Sequence, residues 1–200
     1  MAEPIYFYFD FSSPYGYLTS QRIEAVAADL GRELVWKPMM LGATFKATGA
    51  APLTEVPMKG DYSRHDMARS ARQHDIPYVV PEKFPFASIS ACRAVYWAQD
   101  AHPDKATALI HALMQAAWQR GEDISGAPAV VAIAAGIGLD ADEVEAALKD
   151  QAVKDKLRQE IDASIAGKVF GSPFMRVDGE DFWGNDRLDT MAEWVRRGGW

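Results

Sequence analysis

Apolar and polar positions change rhythm three times along this chain. Ile5-Tyr6-Phe7-Tyr8-Phe9 is a short aromatic, β-favouring run closed by Asp10, which predicts a buried strand. Leu18, Ile23, Val26 and Leu30 then recur at helical spacing, with Ser13 as N-cap, Pro14 at the first helical position and Gly31 as the C-terminal stop. Leu34 to Met39 reads as a second strand, completing β-α-β. From Leu41 to about Lys168 the period is almost wholly helical, in Ala-rich amphipathic segments near 61–74, 88–101, 104–120, 127–136, 140–149 and 152–167. Strand character returns in Phe174-Met175-Arg176-Val177 and Glu180-Asp181-Phe182-Trp183. Asp178-Gly179 between them predicts a hairpin, because Asp-Gly accepts the positive φ of a type I′ turn. A last helix is predicted over about 187–197.

The order β-α-β, helical block, β-β-α is a thioredoxin-like layout: an α/β fold with a large all-helical insertion. Residues 1–40 and 169–200 form the sheet-bearing unit, and 41–168 the inserted helical one. A two-stranded hairpin is marginal alone, so the C-terminal strands must join the N-terminal ones in one sheet.

Composition narrows the function classes. Two hundred residues, 48% of them hydrophobic, suffice for one large core. A formal charge of −7, with Lys and Arg scattered, argues against nucleic acid as a partner. The single cysteine, Cys92, rules out an internal disulfide, a CxxC redox pair and a multi-cysteine zinc site, and its apolar helical surroundings predict burial. His65, His74, His102 and His111 show no ligand spacing, so no metal is expected. The chain has no basic leader and no apolar run approaching ~18 residues, so a soluble, cytoplasmic protein is expected, with no membrane insertion.

Three segments carry candidate chemistry. Asp10-Phe11-Ser12-Ser13-Pro14 puts a hydroxyl at a helix start, where free N–H groups favour an anion; Ser13 is equally an ordinary cap. Lys168 to Phe174 holds Ser172-Pro173 at a strand entrance. A cis bond there would turn the backbone outward to pair with a peptide-like ligand, whereas a trans proline at a strand start is the commoner form. Phe182-Trp183-Gly184-Asn185-Asp186 joins the hairpin to the last helix, where Asn185 and Asp186 suit helix capping or an amino-acid-like ligand end.

Taken together, these segments resemble the 2-hydroxychromene-2-carboxylate isomerase family, which is similar to kappa-class glutathione transferases and more distantly to DsbA-like oxidoreductases. The likeness covers nearly the full length, on Phe7–Phe11 with Ser13-Pro14, Leu41-Gly42, Lys46–Gly49, Lys59–Tyr62, Val169–Pro173 and Phe182–Leu188. It implies glutathione as cofactor and a homodimer. Ser13 would contact the glutathione sulfur, Ser172 before a cis Pro173 would pair with the cysteinyl backbone, and Asn185 and Asp186, with Trp183 and Gly184 beside them, would hold the γ-glutamyl end. Lys59 would approach the tripeptide from the helical cap. Lys46 would lie near the carboxylate of a small aromatic substrate, with Phe11, Phe45 and Tyr62 as aromatic walls. The implied activity is isomerisation of 2-hydroxychromene-2-carboxylate, or a close analogue, to trans-o-hydroxybenzylidenepyruvate by reversible thiolate addition. A kappa-like transferase or peroxidase and a non-catalytic glutathione-binding protein are the alternatives. A dithiol oxidoreductase is disfavoured, since Ser13 and Gly16 stand at its two cysteine positions. The chain departs from the family pattern at Ala50, where asparagine is frequent, and has no arginine near Leu53-Thr54.

Overall fold

A computed structural model describes residues 2–200. Strand β1 (Ile5–Phe9) pairs in parallel with β2 (Leu34–Pro38) and antiparallel with β3 (Phe174–Val177). β3 pairs antiparallel with β4 (Glu180–Trp183), so the sheet order is β2-β1-β3-β4. The hairpin therefore completes the N-terminal sheet, as its marginal stability alone required. Its turn residues Asp178 and Gly179 have φ of 51° and 79°, the positive pair that a type I′ turn demands.

The first helix is two. α1 (Pro14–Ser20) stops before Gln21-Arg22, and α2 (Ile23–Asp29) resumes the apolar stripe, where the spacing of Leu18, Ile23 and Val26 predicted one continuous helix. Side chains explain the break. The Ser20 hydroxyl donates to the Tyr17 carbonyl at 2.7 Å, and the Arg22 N–H closes a tight turn on the Thr19 carbonyl at 3.0 Å, so both compete with the helical ladder.

Between β2 and β3 lie α3 (Leu41–Thr48), α4 (Lys59–Gln73), α5 (Ile89–Ala101), α6 (Pro103–Trp118), α7 (Ala127–Gly136), α8 (Ala141–Lys149) and α9 (Gln151–Ala166). α10 (Leu188–Arg197) follows β4. The six expected helical segments are present with ends shifted by a few residues. Two features depart from the pattern: α3 is a helix of its own, and residues 75–88 form a loop. Pro77, Pro81 and Pro85 lie in that loop, and each removes a backbone donor that a helix would need.

One hydrophobic core runs through both parts of the chain, taking Phe7, Trp36 and Met175 from the sheet and Leu109, Trp118 and Leu157 from the helices. The insertion is therefore topological, without a core of its own. Trp118 ties the 75–88 loop in place. Its ring stacks on Tyr78 at 5.8 Å and meets Phe84 edge-on at 5.3 Å, while its indole N–H donates to the Phe11 carbonyl at 2.8 Å. Among the described residues no helix is long and apolar enough to cross a membrane.

Removing this anchor should loosen the loop as well as the core. Trp118→Ala is expected to lower stability by about 4 kcal/mol in denaturant unfolding and to open residues 75–88 to proteolysis.

Candidate active site

The site is built on the carboxylate that ends β1. Asp10 is only 2% exposed, and both its oxygens are occupied. Oδ1 accepts the Ser12 N–H at 2.9 Å and the Ser88 hydroxyl at 2.7 Å; Oδ2 accepts the Leu41 N–H at 2.7 Å. One side chain thus joins the end of β1, the approach to α1, the start of α3 and the N-cap of α5. Burial pushes its carboxyl above the usual carboxylate range, and the N–H groups of Ser12 and Leu41 and the Ser88 hydroxyl pull it back.

The backbone of the same residue fixes the two serines. Asp10 N–H donates to Ser172 Oγ at 2.9 Å, and Ser13 N–H donates to the Asp10 carbonyl at 2.9 Å. Ser13, 3% exposed, caps α1 by accepting the Gly16 N–H at 3.0 Å. Its single hydroxyl proton is spent on the Ser172 carbonyl, at 2.9 Å. The Ser172-Pro173 bond is cis. Gly16 is needed for this approach, since a Cβ there would stand 2.8 Å from Ser172 Oγ. Because α1 spans seven residues, what Ser13 offers an anion is local: its own O–H and the first-turn N–H groups.

Beside the serines opens a cavity of about 430 Å³, within the range of small-molecule sites. Its wall comprises residues 12–15, one face of α3, residues 50–54, Met67, Phe84-Pro85, residues 170–172 and Trp183. Leu41, Phe45 and Thr48 reach it together because their i, i+4, i+7 spacing puts them on one side of α3. Tyr15 lines the wall with its O–H donating to Asp66 at 2.7 Å, and Asp66 is shared with Arg69. Burial, then Asp66, raises the Tyr15 pKa.

The expected site residues divide. Ser13, Ser172, Trp183 and Phe45 line the cavity. Pro173 lies behind Ser172, its carbonyl accepting the Gly184 N–H at 3.0 Å. Gly184 has φ 114°, and a Cβ on it would meet the Asp186 carboxylate at 2.6 Å, so that turn requires glycine. Asn185 is buried, with the Thr19 hydroxyl donating to its side-chain oxygen at 3.0 Å, which leaves the NH₂ as its donor end. Asp186 is exposed, and neither residue lines the cavity. Lys46 and Lys59 are exposed and also off the wall.

Two expected aromatic walls are corrected. Phe11 is fully buried, packed edge-on against Phe9 at 5.3 Å, and belongs to the core. Tyr62 is 64% exposed and sits under the Arg69 guanidinium, away from the cavity. The helical spacing of α4 places Met67 on the wall instead. Sequence reasoning missed Asp10, Tyr15, Met67 and Phe84-Pro85. A carboxylate two residues before Ser12 was a local signal for Asp10, and the run of prolines signalled the loop that carries Phe84-Pro85.

Comparison with known proteins places these features in company. The family model described as DSBA-like thioredoxin domain matches residues 4–196. The 2-hydroxychromene-2-carboxylate isomerase of Pseudomonas putida is 31% identical over 195 residues, covering 96% of this chain and 93% of the relative. Glutathione S-transferase kappa 1 of Homo sapiens is 26% identical, covering 92% and 87%. Among solved structures, a selenomethionine 2-hydroxychromene-2-carboxylate isomerase superposes with a TM-score of 0.87 at 28% identity, covering 96% of this chain and 94% of the other.

Asp10→Ala would strand the Ser12 and Leu41 N–H groups and the Ser88 hydroxyl. A loss of about 3 kcal/mol is expected in chemical denaturation. Asp29→Ala, which removes only an exposed ion pair with Arg196, should cost less than about 1 kcal/mol.

Proposed function

The chain belongs to the DSBA-like thioredoxin-domain family and, within it, to the 2-hydroxychromene-2-carboxylate isomerases; from that premise we propose that it is a glutathione-dependent isomerase of an aryl-conjugated carbonyl compound. The relatives' name supplies the example, 2-hydroxychromene-2-carboxylate. The observation that carries the reading is Ser13, whose hydroxyl rests on the Ser172 carbonyl at the wall of an apolar cavity.

The residues present fit glutathione. Ser172 offers the backbone N–H and C=O of a strand entrance to the cysteinyl unit, the mode by which an extended peptide adds to a sheet edge. Asn185, with its NH₂ as donor end, and Asp186 stand past Trp183-Gly184 for the γ-glutamyl carboxylate and amine. Bound glutathione would supply a thiolate able to add reversibly to a conjugated system and leave unconsumed, the chemistry that lets a double bond turn.

Ser13 is the donor for that sulfur, and it has only one proton to give. Serving the sulfur would mean releasing the Ser172 carbonyl, which would then need another donor, a part the cysteinyl N–H of the tripeptide would fill. Engagement of the peptide backbone and stabilisation of the thiolate are therefore a single exchange. A simple thiol without that amide leaves Ser13 where it rests. Ser13 is a hydrogen-bond donor in this scheme, never a nucleophile. The apolar wall excludes water and strengthens its bond to the anion.

Ser13→Ala should keep the fold, read by circular dichroism, and lose about 10²-fold or more of glutathione-dependent isomerisation; unchanged turnover sinks the assignment. Glutathione concentration should stay constant during turnover, whereas its consumption would place the chain with the transferases. Glutathione methylated on its cysteinyl nitrogen should bind without the lowering of thiol pKa that glutathione itself shows in thiolate absorbance.

A further inference from the structure

Resting on the reading of the cavity as the seat of an aryl-conjugated carbonyl substrate, we propose that Arg64 and the Thr54 hydroxyl, at the α4 edge of the wall, hold the substrate carboxylate and so set its orientation. The relatives' name puts a carboxylate on their substrate. Among the described residues no Lys, Arg or His contributes to the wall. A carboxylate drawn wholly inside would meet no cation, so its charge must be met at the edge.

Helical geometry puts Arg64 there. Gly60, Arg64 and Met67 follow the i, i+4, i+7 spacing of one face of α4, and Met67 is on the wall. Gly60 lies against residues 53–55: a Cβ on it would stand 2.7 Å from the Thr54 carbonyl oxygen. Arg64, one turn further on, donates to that same carbonyl at 3.4 Å, its one hydrogen bond among the described residues. Asp66, an anion on the same helix, is already taken by Arg69 and Tyr15. The exposed Arg64 fork therefore keeps donors to spare.

Thr54 supplies the second donor. It lines the cavity, and its hydroxyl is buried without a partner in the protein, a state that a bound ligand relieves. The Ser12 and Ser172 hydroxyls and the Trp183 indole N–H are donors on the wall as well, but they stand with Ser13. Ser172 Oγ accepts the Asp10 N–H at 2.9 Å, and the Trp183 ring nitrogen lies so close to Gly171 that a Cβ there would collide with it. Those neutral donors serve the thiol end. Lys46, given the carboxylate by the resemblance, is exposed and off the wall, since α3 turns Leu41, Phe45 and Thr48 to the cavity. With its carboxylate on Arg64 and Thr54, the substrate lays its ring on Leu41, Phe45 and Phe84.

Benzylidenepyruvate and benzylideneacetone, which differ in carboxylate against methyl on the ketone, test this by calorimetric titration. Arg64→Gln should weaken binding of the carboxylate about 10-fold and leave the methyl ketone unchanged. Thr54→Val should weaken the carboxylate about 3-fold. Added salt should loosen the carboxylate from the unmodified protein and have little effect on Arg64→Gln. Arg72→Gln, which removes the same charge from an exposed position farther along α4, should change neither compound. Carboxylate binding that is unchanged in Arg64→Gln, or lost in Lys46→Gln instead, overturns the inference, as does no measurable binding of either compound. Arg64-dependent binding in a protein that neither binds S-methylglutathione nor isomerises anything upholds the inference and removes the glutathione reading. Glutathione-dependent isomerisation with unchanged KM in Arg64→Gln does the reverse.

Discussion

A carboxylate buried at the end of the first strand must have its lone pairs met, and in this fold they are met by segments far apart in the chain. Asp10 collects Ser12, Leu41 and Ser88 with its side chain, and its backbone holds Ser13 and Ser172. Charge out of water is costly unless fully hydrogen-bonded. That cost makes the arrangement close to all-or-none. If α3 or α5 drifts, a donor and an acceptor are orphaned together. The sheet, the two cap helices and the entrance to β3 are thereby registered on one another at the point where the candidate chemistry sits.

From that register the site acquires two unlike halves. Around Ser13 and Ser172 the groups are polar, close and buried, with distances of 2.9 to 3.0 Å that leave Gly16 no room for a side chain. A few residues away the wall turns to α3, residues 50–54 and the 75–88 loop, and becomes apolar. The first half suits a peptide backbone and a sulfur anion; the second suits an aromatic ring. A thiol delivered by one ligand to a conjugated carbonyl in another requires that adjacency, since the reaction joins a polar nucleophile to an apolar partner.

What could be read from the sequence was local. The β1 run, the Ser13 cap, the Asp178-Gly179 turn and the later helices follow from short-range period and turn chemistry, and all are present. The break between α1 and α2 was hidden because Ser20 competes for a backbone carbonyl without disturbing the 3.6-residue spacing of Leu18, Ile23 and Val26. The cavity wall was legible only in part. Phe11, Phe45 and Tyr62 are expected together as aromatic walls, yet only Phe45 lines the cavity; the faces of Phe11 and Tyr62 are settled by packing against Phe9 and beside Arg69. Asp10 looked like a strand stop. Its side-chain partners lie up to 78 residues away and its backbone partner Ser172 lies 162 away, and no periodicity encodes them.

The central claim is that Ser13 exchanges the Ser172 carbonyl for a thiolate brought by glutathione. A crystal structure of the glutathione complex tests it most directly. The account predicts the sulfur within hydrogen-bonding distance of Ser13 Oγ, the Ser13–Ser172 bond opened, and the cysteinyl N–H on the Ser172 carbonyl. A sulfur bound elsewhere, with the Ser13 hydroxyl still donating to Ser172, would contradict it.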